Sequence, residues 1–283
     1  MSTPDVVGKS PINWYGGKIR IAKKIIALFP EHETYCEVFG GSGGVLFAKR
    51  PSAVDVFNDI NSDVVTFFKV LRDPEKAERL KTLLTLTPYS REEFEAAKCW
   101  YMHEPDDVER VRQWYVTVMQ SFSAKRGAWS YSISASLGGM SHSVHKYLKR
   151  VDSTFAPATE RLLRVQIEHL DFRDFIPRYD RPSTLFYLDP PYVLSVRERA
   201  SKKVYTHEMT DKDHENLLNL VINVKGKVIL SGYDSELYER LLNQPGWCRV
   251  SLGMRPKTVA KKIGEKRLYG EEWVWCNYVP VSL

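Results

Sequence analysis

The chain has 283 residues, of which 43% are hydrophobic and 27% charged, with a net charge of +6. That is the composition of a soluble globular protein, long enough for one large domain or a domain with a sizeable insertion. No run is apolar enough to span a membrane, MSTPDVVGKS has no apolar signal core, and Cys36, Cys99, Cys248 and Cys276 lack metal-ligand spacing. The expectation is free thiols in a reducing cytoplasm, with no metal site.

Pro11–Lys18 reads PINWYGGK and leads into an amphipathic helix over Ile19–Phe29, with Ile21, Ile25, Ile26 and Phe29 on one face. Trp14, Tyr15 and Lys18 put two rings and a cation around a flexible glycine pair. A strand follows at Tyr35–Phe39, then Gly40-Gly41-Ser42-Gly43-Gly44, then a helical run from Val45. Strand, glycine loop and helix let a ligand approach the backbone at a helix N-terminus. The next strand, Ala53–Phe57, ends in Asn58-Asp59. An acidic residue about 20 positions past such glycines is where nucleoside-binding folds hold a ribose hydroxyl. Asp59 is equally placed to cap a helix beginning near Ser62. The glycines do not follow G-x-G-x-x-G, which disfavours a dinucleotide.

Residues from about 75 to 150 read as helices without strands: Glu75–Leu86, Arg91–Met102 and Val108–Phe122. Val111, Trp114, Tyr115, Val118 and Phe122 recur at helical spacing and read as core. From Ser123 the pattern breaks into a basic, aromatic, hydroxyl-rich tract. It carries Lys125, Arg126, Trp129 and Tyr131, then His142, His145, Lys146, Lys149 and Arg150. Such a tract suits phosphate contacts and base reading. The two histidines have no matching Cys or acidic cluster.

Strands resume at Val165–Ile167, followed by His169-Leu170-Asp171-Phe172 and then Thr184–Tyr192, TLFYLDPPY. The apolar run Leu185–Leu188 has the make-up of a buried strand. Two prolines stop it, because each lacks an N–H and has a fixed φ. The resulting stiff turn offers one carboxylate, one backbone carbonyl and one aromatic ring. Those groups suit an exocyclic amine on a planar ring, whose lone pair is delocalised. Two acceptors on its two N–H bonds favour pyramidal nitrogen, and a ring holds the base by stacking. Beyond lie a helix over Thr210–Val224, a strand Lys227–Leu230, a helix Ser235–Leu242 and strands Trp247–Leu252 and Glu272–Tyr278. Basic loops sit at Arg197, Arg199, Lys202, Lys203 and at Arg255, Lys257, Lys261, Lys262, Lys266, Arg267. Clusters of this kind hold polyanions.

The order WYGGK, FGGSGG, NDIN, a helical insertion and DPPY resembles the DNA adenine-N6 methyltransferase (Dam) family, especially its phage-like members, over most of the chain. The resemblance also covers QSFS at Gln120, IEHLDF at Ile167, SGY at Ser231 and EEWVW at Glu271. It implies an α/β fold: a Rossmann-like S-adenosylmethionine-dependent methyltransferase sheet with a mainly helical DNA-recognition insertion. In that reading residues 1–73 form the first part of the catalytic domain. Residues 74–160 form the insertion, and residues 161–283 the second part. The first and fourth strands would be neighbours.

What the resemblance implies about residues is equally specific. S-adenosylmethionine would lie along Phe39, Gly40, Gly41 and Ser42. Asp59 and Ile60 would meet its ribose and Asp171 its adenine, with Trp14, Tyr15 and Lys18 closing over it. Asp189 and the Pro190 carbonyl would polarise the target N6, Asp189 also lying near the cofactor, and Tyr192 would stack on a base taken out of the duplex. Lys125, Arg126, Lys146, Arg197, Lys202, Lys203, Lys261 and Lys262 are the expected contacts to double-stranded DNA. The setting implied is the prokaryotic cytoplasm, nucleoid-associated. A homodimer and a cognate restriction endonuclease are partners the resemblance allows. The competing readings are a cytosine-N4 DNA methyltransferase or a protein-glutamine methyltransferase of the same architecture, families that usually carry Ser or Asn where Asp189 stands, and a non-catalytic DNA-binding module that kept the fold.

Overall fold

A computed structural model describes residues 8–136, 138–197, 205–256 and 269–280. It divides into two compact units. One gathers the described residues of Met1–Ile19, Gly41–Arg50 and Ser62–Ile167, the other those of Arg20–Gly40, Pro51–Asn61 and Glu168–Leu283.

The elements are α1 (Ala22–Ile26), β1 (Thr34–Glu37), β2 (Val54–Asn58), α2 (Ser62–Arg72), α3 (Pro74–Leu86), α4 (Arg91–Trp100), α5 (Asp107–Met119) and α6 (His142–Leu162), followed by β3 (Val165–Glu168), α7 (Phe172–Tyr179), β4 (Thr184–Leu188), α8 (Asp211–Ile222), β5 (Lys227–Tyr233), α9 (Glu236–Leu242), β6 (Cys248–Pro256) and β7 (Tyr269–Cys276). The strands form a sheet of order β3-β2-β1-β4-β5-β7-β6. β1 lies parallel between β2 and β4, and β5 is parallel to β4. β7 runs antiparallel to both β5 and β6. The α/β sheet with β1 beside β4 is the fold that the resemblance implied.

In the sheet unit, alternate residues sort by face. Cys36, Phe186, Leu188, Val228 and Leu230 join a buried cluster with Phe175, Ile176, Leu217 and Leu218 of α7 and α8. Each such side chain removed from water stabilises the fold by about 1.5–3 kcal/mol. The opposite face of β1 and β4 carries Tyr35, Glu37 and Tyr187. It is buried but polar: the Tyr35 hydroxyl donates to Glu37 at 2.8 Å.

The helical unit is organised around Phe67 of α2. Its ring lies 5.5 Å from Trp114, 5.9 Å from Tyr115 and 6.3 Å from Phe155. Trp114 and Tyr115 are therefore core, as their periodicity indicated, but Phe122, expected with them, is exposed because the helix ends at Met119, three residues before it. Asp73, Ser90, Asp106 and Ser141 cap α3 to α6 through side-chain oxygens, satisfying N–H groups that have no helical partner. Asp63 pairs with Arg110 at 3.1 Å.

Three local expectations change. The helix over Ile19–Phe29 is confined to Ala22–Ile26. The run from Val45 is a series of turns rather than a helix: Gly41 and Gly43 have φ of 50° and 63°, outside helical geometry. The basic stretch after residue 141 is a 21-residue helix, α6.

Candidate active site

The carboxyl ends of β1 and β4 lie side by side. Glu37 is in register with Tyr187, and the Val38 N–H donates to the Tyr187 carbonyl at 3.0 Å. The chain therefore leaves the same edge twice, as Phe39-Gly40 and as Asp189-Pro190. β1 is followed by β2 on one side, while β4 is followed by β5 on the other. Between two such strands the connections diverge and leave a crevice, where open α/β sheets bind ligands.

Asn58 fixes one wall of that edge. Its amide donates to the carbonyls of Val38 at 2.9 Å and Leu170 at 3.0 Å. Its Oδ1 accepts from the Leu170 N–H at 2.9 Å. The next residue, Asp59, accepts from the Asn61 N–H at 2.8 Å, an Asx turn that leads into α2. Gly40 donates to the Asn58 carbonyl at 2.8 Å. A Cβ at Gly40 would stand 2.1 Å from the Phe57 ring, so any larger residue there must displace that ring. Ile60 is exposed, and its carbonyl lies 3.0 Å from His169 Nε2.

Asp171 caps α7, its Oδ1 accepting from the Arg173 N–H at 2.9 Å. Its Oδ2 pairs with the Arg173 guanidinium at 2.9 Å, which also reaches Asp213. The Phe39 and Phe172 rings stand 5.8 Å apart.

At the turn after β4, Asp189 is half-buried, with Oδ1 shielded from solvent. Pro190 is buried and Tyr192 half-buried. The Tyr192 hydroxyl donates to Glu272 Oε1 at 2.6 Å. Tyr233 meets the Tyr192 ring edge-on, with centroids 4.9 Å apart. Burial, with the nearby Asp189 and Glu272 carboxylates, pushes the Tyr192 phenol well above its ordinary range. It is a neutral donor at any physiological pH. Tyr187, behind Asp189 on β4, is raised for the same leading reason and contacts Ser231 Oγ at 3.2 Å. On α8, buried His214 has its Nδ1 3.2 Å from the Tyr238 hydroxyl. Burial pulls its pKa down to about 4.

The helical unit holds the remaining residues expected at a cofactor. Trp14–Lys18 is a tight turn: the Gly17 N–H donates to the Trp14 carbonyl at 3.1 Å. Gly16 has φ of 75°, and Lys18 Nζ donates back to the Gly16 carbonyl at 2.8 Å. A Cβ at Gly41 would lie 2.9 Å from the Trp14 indole. The Ser42 carbonyl accepts from Ser10 Oγ at 2.7 Å. Trp14, Lys18, Gly41 and Ser42 are thus packed together, while Phe39, Gly40, Asp59, Ile60, Asp171 and Asp189–Tyr192 belong to the sheet unit.

The basic residues separate into different kinds. Lys125 Nζ lies 4.9 Å over the Tyr15 ring, and burial lowers its pKa. Arg126 donates to the Tyr101 hydroxyl at 2.6 Å and pairs with Asp63 at 3.7 Å. Ser123, Ala124 and Arg126 have φ of 55°, 56° and 58°, a concentration of left-handed backbone that non-glycine residues rarely adopt. Lys146 is exposed on α6. Arg197 is buried and ion-paired to Glu208, so a phosphate would have to break that pair to reach it. Lys202, Lys203, Lys261 and Lys262 lie outside the described residues. Among the described residues no group of three His, Cys, Asp or Glu side chains is arranged to hold a metal ion.

Sequence reasoning gave no role to Glu272, Tyr233 or His214. The first two lie in the EEWVW and SGY stretches that carried the resemblance, and their motif positions were the available signal. His214 had none, because its importance comes from burial.

Comparison with known proteins adds a family. The profile of the D12 class N6 adenine-specific DNA methyltransferases matches residues 14–252. A type II methyltransferase, M1.LlaDCHI of Lactococcus lactis subsp. cremoris, is 25% identical over 248 residues, 81% of this chain and 82% of that one. A DNA N-6-adenine-methyltransferase of Escherichia phage P1 is 33% identical over 75 residues. That match spans 26% of this chain and only 10% of the phage protein.

Proposed function

The chain belongs to the D12 class of N6 adenine-specific DNA methyltransferases, and from that premise we propose that it takes its methyl group from S-adenosylmethionine and delivers it to adenine at a fixed site in duplex DNA. The observation that carries this reading is the placement of Asp189-Pro190-Pro191-Tyr192 beside Phe39-Gly40, at the carboxyl ends of the adjacent strands β4 and β1.

The residues at that edge fit the cofactor chemically. Asp59 and Asp171 offer carboxylate oxygens to hydroxyl and amino donors, and Phe39 offers a ring face. Bound there, S-adenosylmethionine supplies an electrophilic methyl on a sulfonium. The turn holding Trp14, Tyr15 and Lys18, with Gly41 and Ser42 packed against it, is proposed to contribute to the same cofactor.

Asp189 and the Pro190 carbonyl each accept one N–H of the target amine. That localises the nitrogen lone pair toward the methyl. Asp189 is then the nearest base for the proton that N6 must lose. Tyr192 stacks on the base. Reaching this edge takes the adenine out of the helix, which costs a few kcal/mol of unstacking. Fixed acceptors need no reorganisation as charge develops, and holding the amine in line contributes through orientation.

Lys125, Arg126 and Lys146 are proposed to face DNA, with Lys202, Lys203, Lys261 and Lys262 of the basic loops. Work on DNA supports a setting in the cytoplasm, at the nucleoid. The type II relative supports a role opposite a restriction endonuclease of the same target sequence. A homodimer remains a partner that the family resemblance allows.

The test is product analysis. Purified protein is incubated with labelled S-adenosylmethionine and mixed-sequence duplex, which is then digested to nucleosides. Label is expected in N6-methyladenine, with Asp189→Ala lower by orders of magnitude while DNA binding persists. Label in N4-methylcytosine, or an Asp189→Ala protein of normal rate, would overturn the reading.

A further inference from the structure

The contacts of Tyr192 give the sheet a second contribution to transfer. A tyrosine ring on a loop turns about two torsions, and stacking requires its plane to be set before the base arrives. Here both restraints come from strands. Tyr233, at the end of β5, closes on the ring edge at 4.9 Å. Glu272, on β7, receives the hydroxyl at 2.6 Å. Those two residues are opposite each other in the β5–β7 register, so the ring is held by one cross-strand pair.

Glu272 is buried, an expensive place for a carboxylate unless donors face it. On its other side the ladder with β6 shifts register between Ser251 and Gly253. Gly253, opposite Glu272, has φ of 89°, a conformation glycine adopts without penalty. No side chain on β6 is therefore directly opposite the carboxylate. A hydrogen bond to a charged acceptor is roughly twice as strong as a neutral one.

We propose that Glu272 is a positioning residue for methyl transfer, its carboxylate holding the Tyr192 hydroxyl so that the ring is fixed in the plane against which the target base stacks. This rests on the reading of Tyr192 as the stacking ring. It reverses the expectation that stacking alone gives: Tyr192→Phe keeps the ring and loses its anchor, and leaves Glu272 buried without that donor.

Four variants separate the cases: Tyr192→Phe, Glu272→Gln, Glu272→Leu and the double Tyr192→Phe/Glu272→Leu. Three readouts are taken: single-turnover methylation at saturating S-adenosylmethionine, cofactor affinity by calorimetry, and fluorescence of 2-aminopurine placed at the target position, which reports stacking of the extruded base. Tyr192→Phe and Glu272→Leu are each expected to slow transfer by about tenfold and to weaken the quenching of extruded 2-aminopurine, with cofactor affinity unchanged. Glu272→Gln keeps an acceptor oxygen and retains most of the rate. The double variant is no slower than the slower single, because an interaction can be lost only once.

Losses that multiply in the double, or a Tyr192→Phe protein with wild-type rate and quenching, would overturn the inference. If Glu272→Leu does not fold, Tyr192→Phe against Glu272→Gln still decides it. A fully active Tyr192→Ala protein would instead sink the stacking reading beneath it. Silent Glu272 variants beside an inactive Tyr192→Ala protein would remove this inference alone.

Discussion

Asn58 and Leu170 exchange two hydrogen bonds, backbone N–H to side-chain Oδ1 at 2.9 Å and side-chain amide to backbone carbonyl at 3.0 Å. A side chain at the end of β2 thus copies the pairing of one strand residue with another and reaches the chain just past the end of β3. It ties the segment before Asp171 to the segment before Asp59. Replacing Asn58 with leucine orphans two carbonyls and one N–H, and should cost about 2–3 kcal/mol. Asn58→Asp keeps the acceptor but turns a carboxylate toward two carbonyls, and should be worse. Urea unfolding and calorimetry with S-adenosylmethionine check this: affinity should fall with stability in both variants, and more in the aspartate.

Gly40 answers to Phe57 before it answers to any ligand. The Cβ of an alanine would lie 2.1 Å from a ring that is itself fully buried. Gly40→Ala should destabilise on the order of 3 kcal/mol through overpacking. Adding Phe57→Leu should restore part of the midpoint in denaturant, an outcome that a purely cofactor-facing glycine would not give.

His214 makes stability depend on pH. Its folded pKa of about 4 lies below the ordinary 6.5, so between those values the unfolded chain takes up a proton that the native protein refuses. Its contribution is complete above about 6.5 and declines as pH falls through the window to about 4, by roughly 3 kcal/mol in all. Unfolding free energies at pH 7.5, 6 and 5 should show a slope in the wild type that is shallower in His214→Gln.

Two cations assigned to DNA from their sequence context should behave differently. Arg197→Ala removes the ion-pair partner of the half-buried Glu208 and should cost on the order of 2 kcal/mol of stability, with little effect on the salt dependence of DNA binding. Lys146 is exposed on α6. Lys146→Ala should leave the melting temperature alone and flatten the plot of log K against log salt. The reverse assignment would put Arg197 on the DNA.

What could be read in advance was whatever the chain marks locally. Paired prolines announced the end of β4, and a period of 3.6 announced the helices from Pro74 to Met119 within a few residues. The neighbouring of β1 and β4 came from the resemblance, because no local pattern encodes which strands pair. α6 was missed although Tyr147, Val151, Phe155, Ala158 and Leu162 mark its buried stripe. Its two lysines, its two arginines and Pro157 interrupt the apolar pattern of that stripe. Arg150 read as a phosphate contact, yet it donates to the Ser10 carbonyl at 2.7 Å and to Asn13 Oδ1 at 2.6 Å. Glu272 sits 80 positions from Tyr192, a separation that only the closed β5–β7 ladder bridges.

The two compact units are interleaved in the chain, which changes unit after Ile19, Gly40, Arg50, Asn61 and Ile167. On a ribosome, β1 emerges early and must wait for β4, its Cys36 finding Phe186 only after the whole helical segment has been made. β1 can pair early with β2, but closing so long a loop before the β1–β4 pairing rewards it makes folding slow. For the same reason Ser62–Ile167 is not a detachable cassette: cut out alone, it leaves Ser10–Lys18 and Gly41–Ser42 behind. Exchanging that segment between relatives would therefore have to carry Ser10–Lys18 and Gly41–Ser42 with it.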